Sequence, residues 1–323
     1  MNLKHNLSDN IFTEEIEKKK MRDGAGIGVR EAGKKHDDIV VLSADTAGSA
    51  RASYFAEEFP ERFIECGVAE QNMIGLSAGL AYQGKVSYPF TYASFLIGRA
   101  WEPIRTTIAY PNNHAVLVSS HAGLATGPDG PTHQMTEDIA LMRSLPNFSV
   151  ICPADFEQAK KAAQAAYKLD GPVYIRTSRP ATEAFTTEDT SFEVGKAQVL
   201  KEGTDLTAIG HGYPVYRLLQ VAKELEDEID IEVINLHTIK PLDKEAVLKS
   251  AQKTEQVFTV EDHQIAGGMG SAVSELLAQE NPVPMKLHGV QDEFAESGSP
   301  EAIWDKYGLD KDSIKVEIKQ FTN

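Results

Sequence analysis

Cysteine is scarce in this chain, with two in 323 residues, Cys66 and Cys152. A scaffold stapled by disulfides is therefore excluded. Both cysteines lie in apolar, strand-like runs (RFIECG and FSVICP), so the expectation is a pair of buried, reduced thiols. Long apolar runs are missing too; none reaches the ~20 residues that cross a bilayer. The start, MNLKHNLSDNIFTEEIEKKKMRD, is polar and lacks a signal-peptide core, so the cytoplasm is the expected compartment. Positive charge is in deficit: 32 Lys and Arg face 48 Asp and Glu, a net charge of −16. That balance argues against nucleic acid and anionic membrane as main partners. It leaves room for a small anionic substrate, which needs only a few local Arg and His. What is plentiful is apolar side chain, 41% of the residues, enough for two packed domains at this length.

Residues 1–20 read as a charged lead-in, partly helical. Strand-like runs then alternate with helical patterns. The strands are expected at 39–45, 62–67, 85–90, 114–120, 148–153 and 172–177. The patterns between them include SARASYFAEEF, AEQNMIGLSAGLAY and GRAWEPIRTTIAY. Such alternation predicts α/β architecture, a mostly parallel sheet flanked by helices. A polar, Thr- and Glu-rich stretch around 180–195 reads as a linker. A second α/β series follows, with strands at 206–210, 231–236, 256–262 and 284–290. The expected domains are thus 21–185 and 195–323.

Several segments carry polar groups where chemistry is plausible. Glu70 opens a helix rich in small residues just after a strand, where ligand sites of open α/β sheets gather. A solvated first-turn glutamate beside the helix dipole would read the same way. HAGLATGPDGPTHQ (121–134) holds His121, Asp129 and His133 among three glycines, before a helix that Thr136 is expected to cap. These side chains could converge on a polar ligand or sit in a solvent loop; the spacing is poor for zinc. GAGIGVREAG (24–33) lacks the strand that a dinucleotide fingerprint requires and reads as a close-packed helix. AGGMGSA (266–272) follows a strand and opens a helix, as an anion site does, though a Gly-rich helix start looks alike. Phe90, Tyr92, Phe95 and Trp101 cluster as core or as a platform for a heteroaromatic ring. Arg22, Arg176 and Arg179 could fork onto a phosphate.

In this order the segments resemble the C-terminal half of transketolase, from about residue 21 to about 310. DGPTHQ (129–134) is the most specific match, with SADTAGS, GVAEQNM, FTYASFL and RTSRP in the family's order and INLHTIKPLD and VEDHQIAGGMGS in the second domain. The resemblance implies a pyrimidine-binding domain followed by a transketolase C-terminal domain, with thiamine diphosphate as cofactor. Glu70 matches the glutamate that hydrogen-bonds N1′ of the aminopyrimidine and favours the 4′-imino tautomer, whose nitrogen takes the C2 proton. Phe95 matches a ring that packs on the pyrimidine. Asp45 and Thr46 fall beside the cofactor, although the family's residue at Thr46 is apolar. Trp101 offers a second ring, with local spacing that departs from the single-chain enzymes. Arg22, Ser49, His121 and Arg179 fall where an acceptor phosphate binds, with Arg176 the rival to Arg179. Asp129 matches a reader of a substrate hydroxyl, and His133 the group near the ketose C1 hydroxyl and the developing oxyanion.

One departure shapes the expected assembly. The family's GDG motif, which holds the diphosphate through Mg²⁺, is absent from this sequence; GPDG (127–130) belongs to the substrate loop. No metal site is expected here. Mg²⁺ would be bound by a partner, a separate N-terminal-half subunit, in an α₂β₂ heterotetramer in which this chain also self-associates. The resemblance implies transfer of a two-carbon ketol unit between sugar phosphates. Alternatives are a deoxyxylulose-phosphate synthase-like subunit, a 2-oxoacid dehydrogenase beta chain, or a non-catalytic sugar-phosphate-binding subunit.

Overall fold

The computed structural model describes residues 2–322. Among these residues fourteen strands form three sheets. In chain order they are β1 (Lys18–Lys20), β2 (Ile39–Ser43), β3 (Phe63–Glu65), β4 (Val86–Tyr92), β5 (Val116–Ser120), β6 (Ser149–Ile151), β7 (Val173–Arg176), β8 (Ala181–Glu183), β9 (Gln198–Lys201), β10 (Leu206–Gly210), β11 (Ile231–Asn235), β12 (Thr238–Lys240), β13 (Val257–Gln264) and β14 (Met285–Val290). The larger sheet runs β12-β6-β7-β5-β4-β2-β3 and is parallel except for β12. The second runs β14-β13-β10-β11-β9, parallel except for β9. The expected α/β class is therefore the observed one. Parallel strands covered on both faces must be apolar throughout, and β2 (IVVLS) and β5 (VLVSS) are buried at every position.

Glycine shows its purpose at one helix pair. Met21–Gly33 crosses Phe156–Ala165 so closely that a Cβ on Gly24 or Gly28 would collide with the carbonyl of Phe156 or Lys160. The second helix is capped by Asp155, which accepts from Gln158 N at 3.1 Å. The same carboxylate accepts from Thr186 N and Oγ1, each at 2.6 Å, and so ties the polar connecting stretch to the helix start.

The two halves are interlocked. β12, from the second half of the chain, adds antiparallel to the edge of the first sheet at β6. One apolar core runs from Leu42, Ile97 and Ile139 into Ile209, Val257 and Met269. Arg176 is buried between them: Nε donates to Asp138 Oδ2 at 2.8 Å and Nη2 to the Asp262 carbonyl at 2.8 Å. Leu124 N donates to Asp262 Oδ1 and Gln264 N to the Thr136 carbonyl.

Four local expectations are corrected. The lead-in forms no helix among its described residues, 2–20; it runs through turns, with Lys4 N bonded to the Leu200 carbonyl, Tyr216 bonded to the Ile11 carbonyl, and β1 paired to β8. SARASYFAEEF breaks into Ala47–Ala50 and Ser53–Ala56, because Arg51 takes a left-handed φ of 75°. Thr136 caps nothing: the helix starts at Asp138, and Thr136 N turns to the Glu137 carboxylate instead. Cys66 is half-buried just past β3, whereas Cys152 is buried; both are free. Burial pushes the Cys66 thiol up to about 11.

Candidate active site

The crevice follows from the strand order. β3 lies on one side of β2 while β4, β5 and β7 extend on the other, so the chain switches direction at β2. Ligand crevices of open α/β sheets form at the carboxyl ends of strands beside such a switch. Asp45, Thr46 and Ser49 follow β2, Glu70 follows β3, Phe95 follows β4, His121 follows β5 and Arg179 follows β7.

Glu70 is the first residue of the helix Glu70–Tyr82 and is 2% exposed. Its Oε2 accepts from Arg99 Nη1 at 2.7 Å. Among the described residues no hydrogen bond reaches Oε1. The same guanidinium lies over the Phe95 ring, 4.7 Å from its centroid. Phe95 is half-exposed, and its neighbours are Tyr92, stacked at 5.8 Å, and His133, edge-on at 5.2 Å. Phe95 and Arg99 share a π-helical turn, Ser94–Arg99, the irregularity that frequently marks a functional site. Trp101 does not reach this ring: its indole N–H donates to the Leu141 carbonyl and its body joins the core. Phe90 is core as well.

Next to the rings lies a cationic corner. Arg22 Nη1 donates to the Ser49 carbonyl at 2.7 Å and stands 3.5 Å from His121 Nε2. The Arg22 Nε atom is buried with no partner among the described residues. Ser120 Oγ lies 2.9 Å from His121 Nδ1, and Tyr92 stacks on the His121 ring at 3.7 Å. Burial, then the charges of Arg22 and Arg179, then His133 and Arg51, push His121 down to about 3, so its imidazole is neutral at pH 7. Arg179 is anchored through Nη1 to the Thr126 carbonyl at 2.7 Å. Arg51 completes the corner: Nε donates to Asp23 at 2.5 Å and Nη1 to the Gly48 carbonyl at 2.6 Å. Neither Arg51 nor Arg99 stood out in the sequence, since a lone Arg in a helical pattern carries no signal of its own.

Arg176 and Arg179 differ in surroundings. Arg176 is buried and spent on Asp138 and the Asp262 carbonyl, whereas Arg179 is half-exposed beside His121's neighbourhood. Asp45 and Asp129 are exposed at the rim, Asp45 with a φ of 56°. Thr46 Oγ1 is buried with no partner among the described residues. His133 is half-buried, with Thr132 Oγ1 2.9 Å from Nδ1. The Gly-rich AGGMGSA turn is already filled from within: the Glu261 carboxylate accepts from Met269 N at 2.7 Å and Gly270 N at 2.9 Å.

Residues 17–184 match the family model of the transketolase pyrimidine-binding domain, and residues 195–314 that of the transketolase C-terminal domain. The chain belongs to the transketolase family. A putative transketolase C-terminal section from Methanocaldococcus jannaschii is 44% identical, over 94% of this chain and 96% of that one. One subunit of the apulose-4-phosphate transketolase from Phocaeicola vulgatus is 38% identical, over 90% of this chain and 94% of that one. A split-gene transketolase solved as an inactive β4 tetramer superposes with a TM-score of 0.88 at 41% identity, covering 94% of this chain and 98% of that chain. This is a transketolase-type subunit of the split kind.

Membership in the transketolase family implies thiamine diphosphate dependence. The residues present fit the pyrimidine end of that cofactor: a buried carboxylate with one oxygen bare of hydrogen bonds, a half-exposed ring, and the orphaned Thr46 hydroxyl. Among the described residues there is no group of three or more His, Cys, Asp or Glu able to hold a metal ion. Nor is any described helix long and apolar enough to cross a membrane.

Proposed function

We propose that this chain is the pyrimidine-side subunit of a split transketolase, moving a two-carbon ketol unit from a ketose phosphate to an aldose phosphate. The observation that carries the reading is the convergence in one crevice of a buried carboxylate, an accessible ring and a cationic corner. Thiamine diphosphate, when bound, supplies the nucleophilic carbon and electron sink that exchange of a carbon–carbon bond requires. Glu70 accepts the hydrogen bond of pyrimidine N1′, Phe95 packs on the pyrimidine, and Asp45 and Thr46 border it. Arg22, Ser49, His121 and Arg179 hold the substrate phosphate by charge-assisted hydrogen bonds. A neutral His121 suits this corner because it adds no further charge among the arginines. Asp129 reads a substrate hydroxyl. His133, set against Phe95, hydrogen-bonds the C1 hydroxyl and stabilises the developing oxyanion.

The missing metal-bound half is supplied by an N-terminal-half partner that carries Mg²⁺. The helix Glu70–Tyr82 turns Gly75, Leu76, Gly79 and Tyr82 outward, and a Cβ on either glycine would meet open space. This apolar face, with exposed Val68 two residues before the helix, seats a second copy of this chain beside Glu70, and two copies of each kind of chain build an α₂β₂ enzyme with two sites. The split-gene relative is inactive as a β4 tetramer, which supports the need for a second kind of chain.

The test is ketol transfer from xylulose 5-phosphate to ribose 5-phosphate, with thiamine diphosphate and Mg²⁺, by this chain alone and with its diphosphate-domain partner. Activity in the mixture only is expected. A stable complex inactive on these and other sugar phosphates would overturn the reading in favour of a non-catalytic role.

A further inference from the structure

Arg99 makes both contacts that an aminopyrimidine would need. Its guanidinium covers the Phe95 ring at 4.7 Å, and its Nη1 donates to Glu70 Oε2 at 2.7 Å. A guanidinium is planar, delocalised and rich in N–H donors. Those traits let it stack on an aromatic face and bond a carboxylate, as an aminopyrimidine does. The exposures of the pair are unequal: Glu70 is 2% exposed and the Arg99 side chain 48%. A carboxylate so deeply buried is costly unless its charge is held. Arg99 holds it from the solvent side, where the arm can leave for water while its backbone carbonyl stays bonded to Gln71 Nε2.

We propose that Arg99 is a placeholder. It closes the pyrimidine half of the site while the chain lacks cofactor, and it is displaced from Glu70 and Phe95 as the aminopyrimidine seats. The inference rests on the roles of Glu70 and Phe95 proposed above. It follows that cofactor loading works against a charge-assisted hydrogen bond, and that a chain that loses its cofactor recovers a paired Glu70.

Arg99→Met, which keeps the length and removes the charge, tests this in two ways, with Arg99→Lys as the conservative control. In the full chain alone, Arg99→Met should lower the urea midpoint when residue 70 is Glu and leave it nearly unchanged in the Glu70→Gln background. In the complex with the diphosphate-domain partner, calorimetry should show thiamine diphosphate binding at least about threefold tighter to Arg99→Met than to wild type, with Arg99→Lys between. An additive double-mutant cycle would overturn the placeholder. So would unchanged or weaker cofactor binding beside normal wild-type binding, weaker binding meaning that Arg99 instead holds Glu70 in place for the pyrimidine. A wild-type complex that binds no thiamine diphosphate would overturn the cofactor reading itself, and the placeholder with it.

Discussion

A carboxylate that is 2% exposed is stable only when something holds its charge, and Glu70 has one described partner and one open oxygen. Glu70→Gln keeps the shape and removes the acceptor charge. The expected outcome is loss of ketol transfer with assembly intact, read by activity and by size-exclusion chromatography on the same sample. His133→Ala leaves Phe95 its other neighbours, and should lower kcat at least about tenfold with little change in stability. His121 makes a separate prediction about pH. Its folded-state value lies near 3, below the ordinary 6.5 of the unfolded chain, so the unfolded chain takes up the proton first as pH falls. The stability that neutral His121 contributes is therefore full above pH 6.5 and lost progressively from there down to about 3. His121→Asn should flatten the decline of unfolding free energy across that window by up to about 1.4 kcal/mol per pH unit, measured by urea titration. An equally steep decline in the variant would mean that His121 is not the titrating group.

At the scale of elements, the same residue type plays opposite parts. Gly28 lies where Met21–Gly33 touches the backbone of Phe156–Ala165, whereas a Cβ on Gly79 would meet none of the described residues. Gly28→Val should cost at least about 2 kcal/mol of stability, because the obstruction is backbone and cannot swing away. Gly79→Trp should leave the stability of the lone chain within about 0.5 kcal/mol, by urea titration, and abolish self-association, as read by sedimentation velocity. Retained self-association would move the interface elsewhere. The spacing irregularity around FTYASFLIGRAW was legible as a departure from the single-chain enzymes. Its meaning was not, because a π-helical turn is set by packing over both flanks and has no composition of its own. The turn is what places Arg99 over Phe95 and against Glu70.

For the whole molecule, the decisive contacts join the two halves. Burial pushes the Asp138 carboxyl up, but Arg176, with His263 and Tyr174, overrides it and holds the carboxyl below its ordinary value. Arg176→Met leaves Asp138 charged and buried, and should cost about 3–5 kcal/mol, read as a lowered urea midpoint at pH 7. Because Asp138 is depressed, its stabilisation is full above the ordinary carboxylate value and lost as pH falls through the folded one, so the penalty of Arg176→Met should shrink in acid. The sequence by itself determined the α/β class, ten of the fourteen described strands and the order of the site segments, because buried parallel strands must be apolar and their C-terminal turns must be polar and small. It could not determine the short strands β1, β8, β9 and β12, which are three or four residues long and exist only through their partners. Nor could it choose between Arg176 and Arg179, which stand three residues apart in one stretch. Only tertiary structure decided that Asp138 and the Asp262 carbonyl claim the first while the second keeps a half-exposed head at the crevice. The physical reason is that an arginine's role is set by which carboxylates and carbonyls lie within about 3 Å of its fork, and those come from elements far away in the chain.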